Sequence, residues 1–226
     1  ALTSLSAAGS VYISAGNSYS PSAYVYQSTN NTITVGNNEP VGAIGNFSVS
    51  NSGFGDLTLT GNVDRSVSGH VELNTSNGSI TATGNLTARK QIYVSASAES
   101  ATVASATVGQ LVASDILVEA SGDVTFGTAS ASAGNGYNGD VNLVSDTGFI
   151  RAAFDNTTAD IVAASDVRIH AGTSIGNAAF LNPLDITAGV AKSVTLEAGQ
   201  GIGSTIGKVN VNTNGTLEVT SEAGQF

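Results

Sequence analysis

Cysteine, methionine and tryptophan are absent from this chain, and proline occurs three times in 226 residues. Without cysteine there are no disulfides and no thiolate metal sites, so the redox compartment cannot be read from bridges. The lack of methionine, even at position 1, leads us to expect a mature or excised segment, and no signal peptide is visible at its start. Export would then have been directed by something removed. No apolar run approaches the roughly 18 residues of a membrane span. Seven basic residues are too few to neutralise a phosphate backbone, which sets nucleic acid aside as a partner. Charge of either sign is scarce, at 11% of residues against roughly 25% in an average globular protein. The balance is nonetheless acidic, with a net charge of −10. Polarity comes instead from Ser, Thr and Asn.

What is present is a loose internal repeat. An apolar-x-apolar triplet starts at Val71, Ile92, Ile116, Val141, Val167, Val194 and Leu217, at successive spacings of 21, 24, 25, 26, 27 and 23. Its segments read HVELNT, QIYVSA, DILVEA, DVNLVS, DVRIHA, SVTLEA and TLEVTS. A second apolar position follows at Ile80, Val124, Phe149, Ile175 and Ile202, and a third, less regular, near Leu86, Ile161, Ile186 and Val209. Each unit therefore holds about three short strands separated by Gly, Asn, Ser and Asp turns.

Helices are excluded because apolar positions recur at spacing two, β-branched residues dominate, and Gly and Asn interrupt longer runs. Parallel coiling accounts for three strands per unit, since each triplet then lies on the one before it and the inward residues stack. The expectation is an all-β parallel β-helix of about nine coils, one continuous unit over 1–226, on the order of 45 Å long. Regular repeats should fill 66–226. Residues 1–65, whose triplets at Val11, Ile33, Phe47 and Leu57 are unevenly spaced, read as irregular coils with longer loops.

Within each triplet the middle residue faces out. One outward stripe is thus Glu72, Tyr93, Leu117, Asn142, Arg168, Thr195 and Glu218. The next is Asn74, Ser95, Glu119, Val144, His170, Glu197 and Thr220.

Three segments carry a resemblance beyond generic coiling: SDVRIHAGTSIGNAAFLNPLDITAG at 165–189, KSVTLEAGQGIGSTIGKVNVNTNG at 192–215 and GDVNLVSDTGFIRA at 139–152. Their cadence, polar-x-V-x-L-x-A-G-x-x-I-G, resembles the repeats of large filamentous-haemagglutinin-like exoproteins of bacteria, typically secreted by the two-partner route. The resemblance covers roughly residues 65–226. It implies a right-handed β-helix, export to the cell surface, and a role as an adhesive or spacing fibre. The Asn-Pro-Asn secretion-signal region of such proteins is absent, so the chain is expected to be an internal piece of a stalk.

Other constellations point less far. A carbohydrate-active β-helix enzyme would draw on Arg151, Asp155, Asp160, Asp166 and Arg168, but strand-leading Asp at turns explains these residues without chemistry. General acid/base work needs converging carboxylates, and the outward stripes separate their Glu residues by Tyr, Leu, Asn or Arg. His70 and His170 lack any His-x-His or Glu-x-x-His partner, and the nonapeptide calcium repeat is missing, so neither metal nor cofactor is implied. An ice-binding face would need one residue, Thr, repeated rung after rung, whereas Thr195 and Thr220 stand alone on the two stripes.

Alternation in SAYVY sets Tyr24 and Tyr26 opposite Ala23 and Val25, where paired rings could stack on a sugar or bury into a partner. Asn-x-Ser/Thr sequons at Asn30, Asn46, Asn74, Asn77, Asn85, Asn156 and Asn214 are candidate glycosylation sites. Neither end offers an amphipathic cap, so the expectation is either a cut from a longer coil or head-to-tail stacking into a filament. The function expected from the sequence is therefore a structural or adhesive segment of a secreted or cell-surface fibre. It has no catalysis of its own and meets surface glycans or proteins of a host or neighbouring cell.

Overall fold

In a computed structural model of the chain the described residues are 10–15, 23–28, 32–36, 45–98, 103–153, 159–176, 183–190, 192–203 and 208–223. They carry twenty-three strands and no helix. In order these are β1 (Ser10–Ala15), β2 (Ala23–Ser28), β3 (Ile33–Gly36), β4 (Phe47–Asn51), β5 (Leu57–Thr60), β6 (Val63–Arg65), β7 (Val71–Thr75) and β8 (Ile80–Ala82). Then come β9 (Leu86–Ala88), β10 (Gln91–Ala96), β11 (Ala106–Ala113), β12 (Asp115–Ala120), β13 (Val124–Ala131), β14 (Val141–Ser145), β15 (Ile150–Ala152) and β16 (Ile161–Ala163). The last are β17 (Val167–Ala171), β18 (Ser174–Ile175), β19 (Leu184–Ala188), β20 (Val194–Ala198), β21 (Gly201–Ile202), β22 (Val209–Asn212) and β23 (Leu217–Ser221).

The first face is one ladder in the order β1-β2-β4-β7-β10-β12-β14-β17-β20-β23. A second face runs β3-β5-β8-β11-β13-β15-β18-β21, and a third is built from β6, β9, β16, β19 and β22. The second and third faces join because β11 and β13 are eight residues long and bend across the corner between them. From β2 onward the pairing in the first face is parallel. The chain is a parallel β-solenoid.

The interior follows from alternation. Val49, Leu73, Val94, Val118, Leu143, Ile169 and Leu196 stack in register and none is more than 2% exposed. Each such side chain contributes about 1.5–3 kcal/mol by leaving water. The stack of β-branched and leucine side chains thus holds a ladder whose strands of five or six residues could not stand alone. Among the described residues two charged side chains are buried: Asp160, 3% exposed, and Arg65, 1% exposed, with its guanidinium 5.8 Å from the centroid of the Phe47 ring.

Side-chain oxygens at the turns fix the register between coils. Asp115 Oδ1 accepts the backbone N–H groups of Gly139 and Asp140 at 2.8 and 3.0 Å. Asp140 Oδ1 accepts that of Asp166 at 3.0 Å, and Asp166 Oδ1 that of Ser193 at 2.7 Å. A second ladder runs from Asp56 to Ser79, Ser105, Asp123 and Phe149, each side chain accepting the next coil's amide. Where the first face turns into the second, the column Asn51, Thr75, Ala96, Ala120, Ser145 places three polar residues in the core. Each is satisfied locally: Ser145 Oγ donates to Gly122 O at 2.6 Å and accepts from Gly148 N at 3.0 Å. Gly69 turns with φ +107°, and a Cβ there would lie 1.9 Å from Gly45 O, so the coils can approach only through glycine.

Three details differ from the sequence expectation. The first strand adds no coil, because β1 pairs antiparallel with β2, Tyr12 opposite Tyr26 and Ile13 opposite Val25. The eight rungs from β4 to β23 enclose seven complete turns, about 34 Å at the usual strand spacing, where sequence spacing gave about nine. In the coil of β14 the second inward residue is Ile150, fully buried, and not Phe149. Phe149 precedes the strand on the outward side, where its ring lies under the Arg151 guanidinium at 4.2 Å. Residues 47–65 form a coil in register with the next one: Phe47 pairs with Val71, Leu57 with Ile80 and Val63 with Leu86.

Candidate functional site

The outer surface of the first face holds the most varied chemistry. Both outward stripes fall in the expected register from Glu72 to Glu218 and from Asn74 to Thr220. They extend back through Ser48 and Ser50 of β4 to Tyr24 and Tyr26 of β2. Consecutive rungs differ throughout β4 to β23.

One side-chain network on this face joins three residues of two neighbouring coils, β17 and β20. His170 Nδ1 lies 3.0 Å from Glu197 Oε2, and Arg168 Nη2 donates to the same oxygen at 3.4 Å. The hydrogen bond with His170 holds the Glu197 carboxyl below the usual carboxylate range; burial opposes it, and the charge of Arg168 and its hydrogen bond add to the lowering. Beside this network runs an open groove of about 450 Å³, lined by Asp146, His170, Gly172, Glu197, Gly199, Thr220 and Glu222 among others. Asp146 also lines a second depression of about 230 Å³, with Ser95, Ser97, Glu119, Ser121 and Val144. Tyr93 donates its hydroxyl hydrogen to Glu119 Oε2 at 3.3 Å. The two hollows follow the corner of the first face over the coils of β10 to β23, with small residues on the floor and carboxylates on the walls. Such a surface can hydrogen-bond an extended chain laid along the axis; its carboxylates favour donors over anions.

The residues considered for an enzyme do not converge. Arg151 lies on the second face, where its Nε donates to Thr125 Oγ1 at 3.3 Å and burial lowers its guanidinium from the ordinary value. Asp160 is 3% exposed and leads a strand of the third face, its Oδ2 accepting Asp185 N at 2.9 Å. Asp166 belongs to the amide ladder and Arg168 to the Glu197 network. Asp155 lies outside the described residues. Among the described residues no group of three His, Asp or Glu gathers as a metal would require. His70 is half-buried, and its backbone N–H donates to Asn46 Oδ1 at 3.2 Å.

Tyr26 is 51% exposed and its hydroxyl lies 3.0 Å from Ser52 Oγ, while Val25 beside it is buried. Tyr24 is placed by its backbone opposite Ser48. Of the sequons, Asn85 and Asn214 are exposed, Asn74 and Asn77 half-buried, and Asn46 is tied to the His70 amide. Asn30 and Asn156 lie outside the described residues.

Sequence reasoning missed two ordered columns. The carboxylates Asp115, Asp140 and Asp166 sit on successive coils, and their shared place just before each triplet was the signal. On the second face Thr34, Thr58, Thr81, Thr107 and Thr125 stand in one register column. The signal there was the recurrence of ITVG, LTLTG, ITATG, ATVG and VTFG. No family model matches the chain, and comparison with curated proteins and with solved structures returns no match.

Proposed function

We propose that this chain is a structural and adhesive segment of a bacterial cell-surface or extracellular fibre, of the filamentous-haemagglutinin-like kind, without catalytic activity. One contrast carries the reading: the central inward column of the first face stays aliphatic from Val49 to Leu196, whereas outward columns of the first face change residue at every rung from β4 to β23. A fold selected for its interior is a spacer, and a varied exterior on a rigid ladder is a display surface. The outer first face, with the groove beside Glu197 and the exposed Tyr26, is the surface offered to glycans or proteins of a host or neighbouring cell. Secretion to the cell surface and head-to-tail association into filaments belong to the same proposal.

A carbohydrate-active enzyme is the competing reading, and the engagement of Asp160 and Asp166 with backbone amides speaks against it. The two are separated by incubating the purified chain with acidic and neutral polysaccharides and following chain length, alongside its retention on surfaces coated with the same polymers. Retention without shortening is expected. Depolymerisation abolished by Asp160→Asn or Asp166→Asn, with the fold intact, would overturn the proposal.

A further inference from the structure

The second face behaves oppositely to the first. Its outward position carries threonine on five successive coils, Thr34 to Thr58 to Thr81 to Thr107 to Thr125, before Arg151 ends the run. A partial second column, Thr60 and Thr83, stands two residues along from Thr58 and Thr81, and both are exposed. The hydroxyls of Thr58, Thr81 and Thr107 make no hydrogen bond to other described residues. A separate observation concerns charge. The five strands of this stretch read ITVG, LTLT, ITA, ATVGQLVA and VTFGTASA, without one ionisable side chain. The carboxylates at the rim, Asp56 and Asp123, accept backbone amides of the following coil at 2.7 and 3.1 Å.

Parallel pairing sets the column's spacing at about 4.8 Å per step, so the five side chains span about 19 Å in a straight row. Threonine is stiff at χ1, and the residues behind it, Ile33, Leu57, Leu59, Ile80 and Val124, are at most 1% exposed. The row is therefore preorganised: it presents a hydroxyl and a methyl at each step, with the Thr125 hydroxyl at its end already accepting from Arg151 Nε at 3.3 Å, and it orders no loops or long side chains on contact. Repetition of one residue at a fixed interval is of use only to a partner with the same repeat. A ligand whose oxygen rows recur at nearly this interval, which carries no charge and both donates and accepts hydrogen bonds, is crystalline water. Threonine hydroxyls can enter such a lattice as donor and acceptor, while the methyls and the lack of charge avoid the strongly held hydration that a carboxylate or ammonium would keep. Each contact is weak alone, but the rigid row makes later contacts intramolecular once the first has formed.

We propose that the Thr34–Thr58–Thr81–Thr107–Thr125 column is an ice-binding face. It lies on a different face from the adhesive surface, and either assignment can fail without the other. The test is ice-recrystallisation inhibition and crystal shaping by the purified chain, with Thr81→Lys and Thr107→Lys breaking the row and Thr195→Lys on the first face as control. Circular dichroism melts establish that each variant is folded; Thr81 is exposed, so its replacement spares the core. The chain should arrest crystal growth, Thr81→Lys and Thr107→Lys should each need about tenfold more protein for the same effect, and Thr195→Lys should match the unaltered chain. Thr81→Ala, which removes the hydroxyl with little steric change, should fall in the same direction as Thr81→Lys. Absence of inhibition by the unaltered chain would overturn the proposal, as would equal activity of folded Thr81→Lys, or an equal loss in Thr195→Lys.

Discussion

Truncating Leu143 to alanine tests the stacked interior at its centre. Leu143 is fully buried, with Val118 of the preceding coil and Ile169 of the following one in register above and below it. Alanine leaves a void that neither neighbour can fill by moving closer, because backbone pairing fixes the strand spacing and the Asp115 and Asp140 carboxylates pin the same coils. The cost should therefore lie at about 3–4 kcal/mol, within the range for buried Leu→Ala changes that relax poorly. For a chain of this length that lowers the melting midpoint by about 6–16 °C. Val219, in register with Leu196 but 36% exposed, is the internal comparison, and Val219→Ala should cost about 1 kcal/mol or less. Urea unfolding followed by circular dichroism, with tyrosine emission as a second probe in a chain without tryptophan, gives both numbers. A Leu143→Ala cost below about 1 kcal/mol, or one equal to that of Val219→Ala, would refute a close-packed column.

Other positions test the turns and the outer network. Gly69→Ala should destabilise by more than about 1 kcal/mol in the same unfolding assay, since φ is +107° and the new Cβ would meet Gly45 O. Ser145→Ala should cost about 1–3 kcal/mol, measured by urea midpoint, because Gly122 O and Gly148 N lose their partner inside the core. Neighbouring rungs carry Ala120 and Ala171 in the same column, so packing itself should tolerate the change. Glu197 is held below its ordinary pKa, so its contribution to stability is present above about pH 4.3 and is lost as pH falls through the lower folded value. Glu197→Gln should flatten the acid side of a stability–pH curve in that window, by less than about 1 kcal/mol at this solvent-screened position.

The first face was legible from the sequence because its triplets alternate cleanly over five or six residues, and inward Val, Leu and Ile leave only one register that buries them. Direction was not legible: Val11–Ile13 and Tyr24–Tyr26 alternate identically whether strands run parallel or antiparallel, which concealed the β1–β2 hairpin. Short strands were harder still. In GFIRA two adjacent apolar residues compete for one inward position, and the interaction of Phe149 with Arg151 on the outside decided for Ile150. The threonine column was missed because attention to apolar positions on the second face discards what stands between them. Strand-leading Asp was recognised as a turn residue, but its hydrogen bond reaches about 25 positions along the chain to the next coil, a distance no local turn rule spans.

The outer first face is the part of the molecule proposed to meet a partner, while the interior merely holds it. Retention of the purified chain on cell surfaces and glycan-coated surfaces, measured for the unaltered protein and for Tyr26→Ala, His170→Ala and Glu197→Lys at matched thermal stability, tests this directly. The unaltered chain should be retained, and at least one of these variants should show reduced retention with its melting midpoint preserved. Equal retention by all three folded variants, or shortening of the coating polymer during the measurement, would contradict it.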